Sequence, residues 1–113
     1  MSARTETRLW IAQRASAAVL ALYVVVHLIV IVYAMQGGLS AAEILARTRG
    51  SIGWLAFYSV FVLAAAVHAP IGLRAVLMEW TRARGWPLAI VLHAFALALA
   101  VVGLRAVWAV FAA

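Results

Sequence analysis

The sequence predicts an all-α membrane protein with three transmembrane helices, and two observations support this prediction. First, 69% of the 113 residues are hydrophobic and only 11% are charged, which lies far outside the range of soluble domains. Second, three apolar runs are long enough to cross the roughly 30 Å hydrocarbon core at about 1.5 Å per residue. They cover about residues 11–35, 52–78 and 87–111. We therefore expect residues 1–113 to form a single transmembrane domain.

The placement of arginine predicts the orientation of the spans. All nine basic residues are arginines, and cytoplasmic loops carry an excess of Lys and Arg. The larger group lies at the start of the first span or at the junction of the second and third spans: Arg4, Arg8, Arg14, Arg74, Arg82 and Arg84. The others are Arg47, Arg49 and Arg105. The N-terminus is therefore predicted to be cytoplasmic and the C-terminus outside. The net charge of +6 comes from arginines that flank the spans and do not form one basic patch. It therefore indicates topology, and binding of nucleic acid is not expected.

The two connections carry signals for helix boundaries. Ser40 followed by Glu43 resembles a capping box and predicts a short interfacial helix over about residues 41–47. In the second connection, Gly85 is predicted to end a helix, and Pro87 is predicted to lie in the first turn of the next.

The candidate functional residues are histidines within the spans. The chain has no cysteine, which excludes disulfides, thiolate metal sites and Cys-linked haem. An ionisable side chain inside a bilayer is costly and therefore suggests a function. Imidazole is a good ligand for haem iron. His27, His68 and His93 are thus candidate haem ligands.

His68 is the strongest of the three candidates. Small residues share its helical face and would leave clearance for a porphyrin: Ala64, Ala65, Gly72 and Ala75. Pro70 predicts a kink beside it, and Arg74 and Arg82 are placed to meet haem propionates. Small residues also serve helix packing, and a buried histidine can simply hydrogen-bond a neighbouring helix, so this second interpretation stays open.

The other two histidines have open roles. By the predicted boundaries, His27 lies roughly 9 Å further from the cytoplasmic edge of the membrane than His68. The two histidines therefore cannot bind one iron. His27 either binds a second haem nearer the outer face or hydrogen-bonds Tyr23 or a partner helix. His93 is close in depth to His68 and is either a second ligand from the same chain or, as is more common, a packing residue.

Two polar residues near the start of the first span are candidates for a different role. Arg14 and Ser16 lie at the predicted cytoplasmic edge, where they could polarise a quinone carbonyl. The alternative for Arg14 is that it extends to lipid phosphate headgroups.

Two motifs resemble the cytochrome b anchor subunits of succinate:quinone oxidoreductase, which comprises succinate dehydrogenase and fumarate reductase. The segment His68-Ala-Pro-Ile-Gly72-Leu-Arg74 resembles the H-x-x-x-G-x-R segment of helix two in that family. Gln13-Arg-Ala-Ser-Ala17 is similar to the family's H-R-x-S-G signature in helix one. The resemblance extends over about residues 8–111.

The resemblance implies residue roles. His68 matches the axial ligand of haem b, beside Gly72 and Arg74, and the opposite ligand comes from a second membrane-anchor subunit. Arg14 matches an arginine at the quinone site, with Ser16 in the same motif. Trp10 stands where the family often has a quinone-site serine. His27 fits the pattern of members with two haems, whose outer haem takes a histidine from helix one.

The function implied is that of a haem b-binding anchor in a bacterial-type inner membrane. Expected partners are a second anchor subunit, an iron–sulfur subunit, a flavoprotein subunit and membrane lipid, with quinone as the substrate. The isolated chain should have no activity, because it lacks a flavin fold and the cysteines of an iron–sulfur cluster. The alternative is a haem-free structural or assembly protein. A transporter subunit is less favoured because the spans hold no acidic residue in their interior.

Overall fold

A computed structural model describes residues 2–38 and 40–113, and within these ranges it contains helices and no strand. The helices are α1 (Ala3–Gly37), α2 (Ala41–Thr48), α3 (Ile52–Trp80) and α4 (Gly85–Ala112). Of these, α1, α3 and α4 are long and apolar enough to cross a membrane. The predicted all-α class is confirmed, and so is the prediction of three helices able to span a membrane. The orientation of the termini stays a prediction.

The short helix α2 begins as predicted and is attached to the far end of α4. Ser40 caps it, because its side-chain oxygen accepts a hydrogen bond from the Glu43 N–H at 3.2 Å. At the other end, the Thr48 hydroxyl donates to the Val110 carbonyl at 3.1 Å. The Gly50 N–H donates to the Phe111 carbonyl at 2.9 Å. These bonds hold the first connection against the C-terminal turn of α4.

The prediction for Gly85 is wrong. Helix α3 has already ended at Trp80, where Thr81 adopts an extended conformation and its N–H bonds the Leu77 carbonyl. Gly85 instead begins α4, with a φ of 73° that favours glycine. This glycine therefore allows the chain to adopt a positive φ at the first residue of α4. Pro87 lies in the first turn of α4, as predicted.

Helix α3 is the central element of the fold. It packs against α1 on one side and against α4 on the other, whereas the backbones of α1 and α4 are not in contact over the described residues. On the α1 side, the rings of Tyr23 and Phe57 stack with centroids 4.3 Å apart. On the α4 side, Gly103 allows close approach, because a Cβ there would lie 2.5 Å from a methyl carbon of Val62.

Few side chains are buried within the chain. In the described part of the chain, the buried apolar residues are Ala34, Ala66, Pro70, Leu88, Leu92 and Val107, and no large side chain is fully buried. Many large apolar residues are exposed along the spanning helices, Trp10 and Tyr33 among them. An apolar surface of this extent requires lipid or partner helices to cover it.

Candidate functional site

His68 lies in the interface between α1 and α3. Its Nδ1 atom is 3.4 Å from the hydroxyl oxygen of Ser16 on α1. His68 is half-buried, and Ser16 is only 7% exposed. The structure therefore brings together two residues that the sequence assigned to different sites, one to a haem and the other to a quinone.

Gly72 lies one turn beyond His68 and is covered by α1. A Cβ at this position would lie 3.4 Å from Nε2 of Gln13, which is at the short end of van der Waals contact. Part of the small-residue face of α3 therefore serves helix packing. The role of Gly72 beside a cofactor stays a prediction.

Gln13 has a buried atom that lacks a hydrogen bond. Its Oε1 is buried, and no donor in the described part of the chain reaches it. A buried carbonyl oxygen without a donor costs free energy, of the order of 1–3 kcal/mol. Because Gln13 lies three residues before Ser16, this oxygen belongs to the same α1–α3 interface as His68. An ordered water would satisfy it.

Arg74 is engaged within the chain. Its Nη2 donates to Oε1 of Glu6 at 3.0 Å. The Arg74 side chain is 16% exposed and that of Glu6 is 53% exposed. The role of Arg74 toward a propionate stays a prediction, and any such contact competes with Glu6. Arg82, the other predicted propionate partner, is exposed in the connection after α3.

His27 lies far along α1 from His68. Ser16 marks the level of His68 on α1, and His27 follows it by eleven residues, which is roughly 16 Å at 1.5 Å per residue. This separation exceeds the predicted one and supports the conclusion that the two histidines cannot bind one iron. No hydrogen bond connects His27 to Tyr23 or to another described residue, and the Tyr23 ring instead stacks on Phe57.

His93 lines a groove that the sequence did not reveal. The groove has a volume of about 960 Å³ and lies between the first turns of α1, the second half of α3 and the first half of α4. Arg74, Arg84 and Trp86 line one end of it. The Nδ1 atom of His93 is 2.6 Å from the Ala89 carbonyl. His93 is exposed to this groove instead of packed between helices, whereas His68 contacts α1.

The three predicted quinone-site residues do not lie together. The Arg14 guanidinium carbon is 5.3 Å from the centroid of the Trp10 ring, a cation–π arrangement. Both residues are exposed, whereas Ser16 is buried. At about 100° per residue, Ser16 lies about 200° further around the helix than Arg14. Ser16 therefore lies on a different face of α1 from Arg14, and the quinone role of the three residues stays a prediction.

The residues around His68 fit haem better than they fit a bare metal ion. The described residues contain no group of three or more His, Cys, Asp and Glu side chains able to hold a metal ion. Haem would bring its own iron bound to porphyrin, so this chain would need to supply only one imidazole to hold it. With its Nδ1 directed to Ser16, His68 retains a second ring nitrogen for such a bond.

Comparison with known proteins identifies one family. The family model described as succinate dehydrogenase/fumarate reductase transmembrane subunit matches residues 1–103. No curated protein and no solved structure matches the chain significantly.

Proposed function

The chain belongs to the succinate dehydrogenase/fumarate reductase transmembrane subunits, and from this premise we propose that it is the haem b-binding membrane anchor of such a complex. In this role it docks the flavoprotein and iron–sulfur subunits and helps to form the quinone site. It thereby assists electron transfer between succinate oxidation and the quinone pool. We place it in the inner membrane of a bacterial-type cell, with its N-terminus on the cytoplasmic side.

The observation that carries the haem proposal is the position of His68. This imidazole lies within a spanning helix, in contact with a neighbouring helix through one ring nitrogen only. Within a bilayer, a polar ring is costly unless it has a function or a full set of partners. Bound haem would supply a one-electron carrier between the quinone site and the partner subunits. His68 would hold the iron on one side, and the second anchor subunit would supply the opposite ligand.

The exposed apolar surface supports a role in assembly. Large side chains on the outer faces of α1 and α4 are exposed, including Leu22, Ile29, Leu97 and Val102. A second anchor subunit packed against part of this surface would remove it from lipid. Lipid would cover the remainder. Trp10 and Arg14 form an exposed pair near the start of α1 and are the residues we assign to the quinone site at a subunit interface.

A haem-free structural or assembly protein is the second candidate function. It is favoured by the contact of Gly72 with Gln13 and by the Ser16–His68 hydrogen bond, because both also occur in plain helix packing. In that case His68 would be a packing residue, and its replacement would change stability without changing any spectrum.

The two functions are distinguished by the reduced-minus-oxidised optical spectrum of the detergent-purified complex that contains this chain. We expect a b-type α band in the wild type and its loss in His68→Ala. His93→Ala is the matched control, since it removes a histidine at similar depth that lines the groove, and we expect it to retain the band. A wild-type complex without haem, or a band that is indifferent to His68→Ala, would move the assignment to the structural protein.

A further inference from the structure

The hydroxyl of Ser16 has three polar neighbours. Its oxygen lies 2.7 Å from the Ala12 carbonyl oxygen and 3.1 Å from the Gln13 carbonyl oxygen, both on its own helix. The third neighbour is Nδ1 of His68 on α3, at 3.4 Å. A serine inside a helix commonly donates to a carbonyl of the preceding turn in this way.

Counting protons at this oxygen fixes the direction of each bond. A serine hydroxyl has one proton to donate and two lone pairs that can accept. Carbonyl oxygens can only accept, so the single hydroxyl proton points toward the carbonyls of Ala12 and Gln13. The contact with His68 is then one in which the Ser16 oxygen accepts. For this contact to be a hydrogen bond, Nδ1 of His68 has to carry a proton and donate it to Ser16.

We propose that Ser16 is a positioning residue that keeps His68 in the tautomer protonated at Nδ1, which leaves Nε2 available as the ligand of haem iron. This inference rests on the proposed haem function and adds a residue to it. A neutral imidazole that donates one N–H to a fixed acceptor is held both in tautomer and in ring orientation, and its other nitrogen becomes a better ligand.

The environment of Ser16 makes it a stable acceptor. The residue is 7% exposed and lies between α1 and α3, so bulk water does not compete freely for His68. Its oxygen is held by the backbone of α1, because the hydroxyl bonds the preceding turn. Burial of Ser16 also separates it from the exposed pair of Trp10 and Arg14. Ser16 therefore serves the haem ligand and not the quinone.

The test compares haem binding and the ferric electron paramagnetic resonance spectrum across variants of the purified complex. Ser16→Ala removes the acceptor while leaving the helix backbone intact. Ser16→Thr keeps a hydroxyl at the same position. Ser59→Ala is the matched control, because Ser59 is a half-buried serine of α3 with no part in the proposal. Haem affinity is measured by transfer of haem to excess apomyoglobin.

We expect Ser16→Ala to bind haem roughly 10- to 100-fold more weakly, as is typical when the hydrogen-bond partner of a ligating histidine is removed. Its low-spin g values should shift, because the imidazole ring is no longer fixed in orientation. Ser16→Thr and Ser59→Ala should both resemble the wild type. A merely structural role of Ser16 would lower stability without shifting the g values.

The outcomes separate this inference from the proposed function. If His68→Ala abolishes haem binding while Ser16→Ala matches the wild type in affinity and g values, the haem function stands and the role of Ser16 is wrong. If Ser16→Thr behaves like Ser16→Ala, the hydroxyl is not the acceptor and the inference is also wrong. A wild-type complex without haem overturns both.

Discussion

Nη2 of Arg74 lies 3.0 Å from Oε1 of Glu6, so an ion pair joins the first turn of α1 to the second half of α3 across 68 positions of sequence. It lies at the end of the molecule where the groove opens between α1 and α4. The two partners differ in environment, since Glu6 is half-exposed and Arg74 is largely buried.

Loss of the Glu6 charge should have a small effect on stability. Exposed ion pairs contribute less than about 1 kcal/mol, so Glu6→Gln should lower the unfolding temperature only slightly. Arg74→Gln should lower it more, because the mostly buried stem of the arginine also loses packing. Thermal unfolding of both single variants and the double variant in detergent measures the coupling. A coupling energy well above about 1 kcal/mol would contradict the weak-pair interpretation.

Addition of one methyl group to Gly103 should loosen the α3–α4 contact. The new Cβ would lie 2.5 Å from a methyl carbon of Val62, and a β-branched side chain has little freedom to move aside. We expect Gly103→Ala to cost roughly 1–3 kcal/mol, measured by thermal unfolding. Gly37→Ala is the control, because a Cβ there meets nothing within 4 Å. Val62→Ala should recover part of the loss in the double variant. Equal stability of Gly103→Ala and the wild type would be the contrary result.

Replacement of His27 should leave unchanged the haem that we propose is held by His68. The two residues are separated by roughly 16 Å along α1, at 1.5 Å per residue between His27 and the level of His68. We therefore expect His27→Ala to retain the His68-dependent α band, with haem per protein determined by the pyridine haemochrome assay. A loss of one haem equivalent would identify a second haem at His27. Loss of the His68-dependent band would show that the two residues share one site.

The predicted orientation can be tested with single cysteines, since the chain has none of its own. Ser2 and Ala113 are both exposed and lie at opposite ends of the three spans. In intact cells, a membrane-impermeant maleimide should label this chain in Ala113→Cys and should not label it in Ser2→Cys. Permeabilised cells provide the control, in which both variants react. Labelling of Ser2→Cys alone in intact cells would reverse the orientation.

The fold was largely predictable because bilayer thickness fixes the length of a spanning helix. The start of α2 also followed from local chemistry, since the Ser40 cap depends only on the backbone N–H of a residue three positions later. The motifs around His68 and Arg14 indicated the family, and the match over residues 1–103 confirms it. The prediction for Gly85 was wrong because a glycine with positive φ can begin a helix as well as follow the end of one.

The geometry of the site was not predictable in the same way. The Ser16–His68 contact joins residues 52 positions apart and depends on how each helix is rotated about its axis. Periodicity assigns residues to a face but does not say which neighbour covers that face. For the same reason, the groove beside His93 was missed, although Ala89 and Ala96 flank the histidine at helical spacing.

The central position of α3 has a consequence for the order of membrane insertion. Helix α1 is synthesised before α3, the helix that it packs against, and α4 is synthesised after α3. Until α3 arrives, Gln13, Ser16 and His27 lie in a single inserted helix with no spanning partner from this chain. During that interval the nascent α1 depends on lipid, or on another membrane protein, to accommodate its polar side chains.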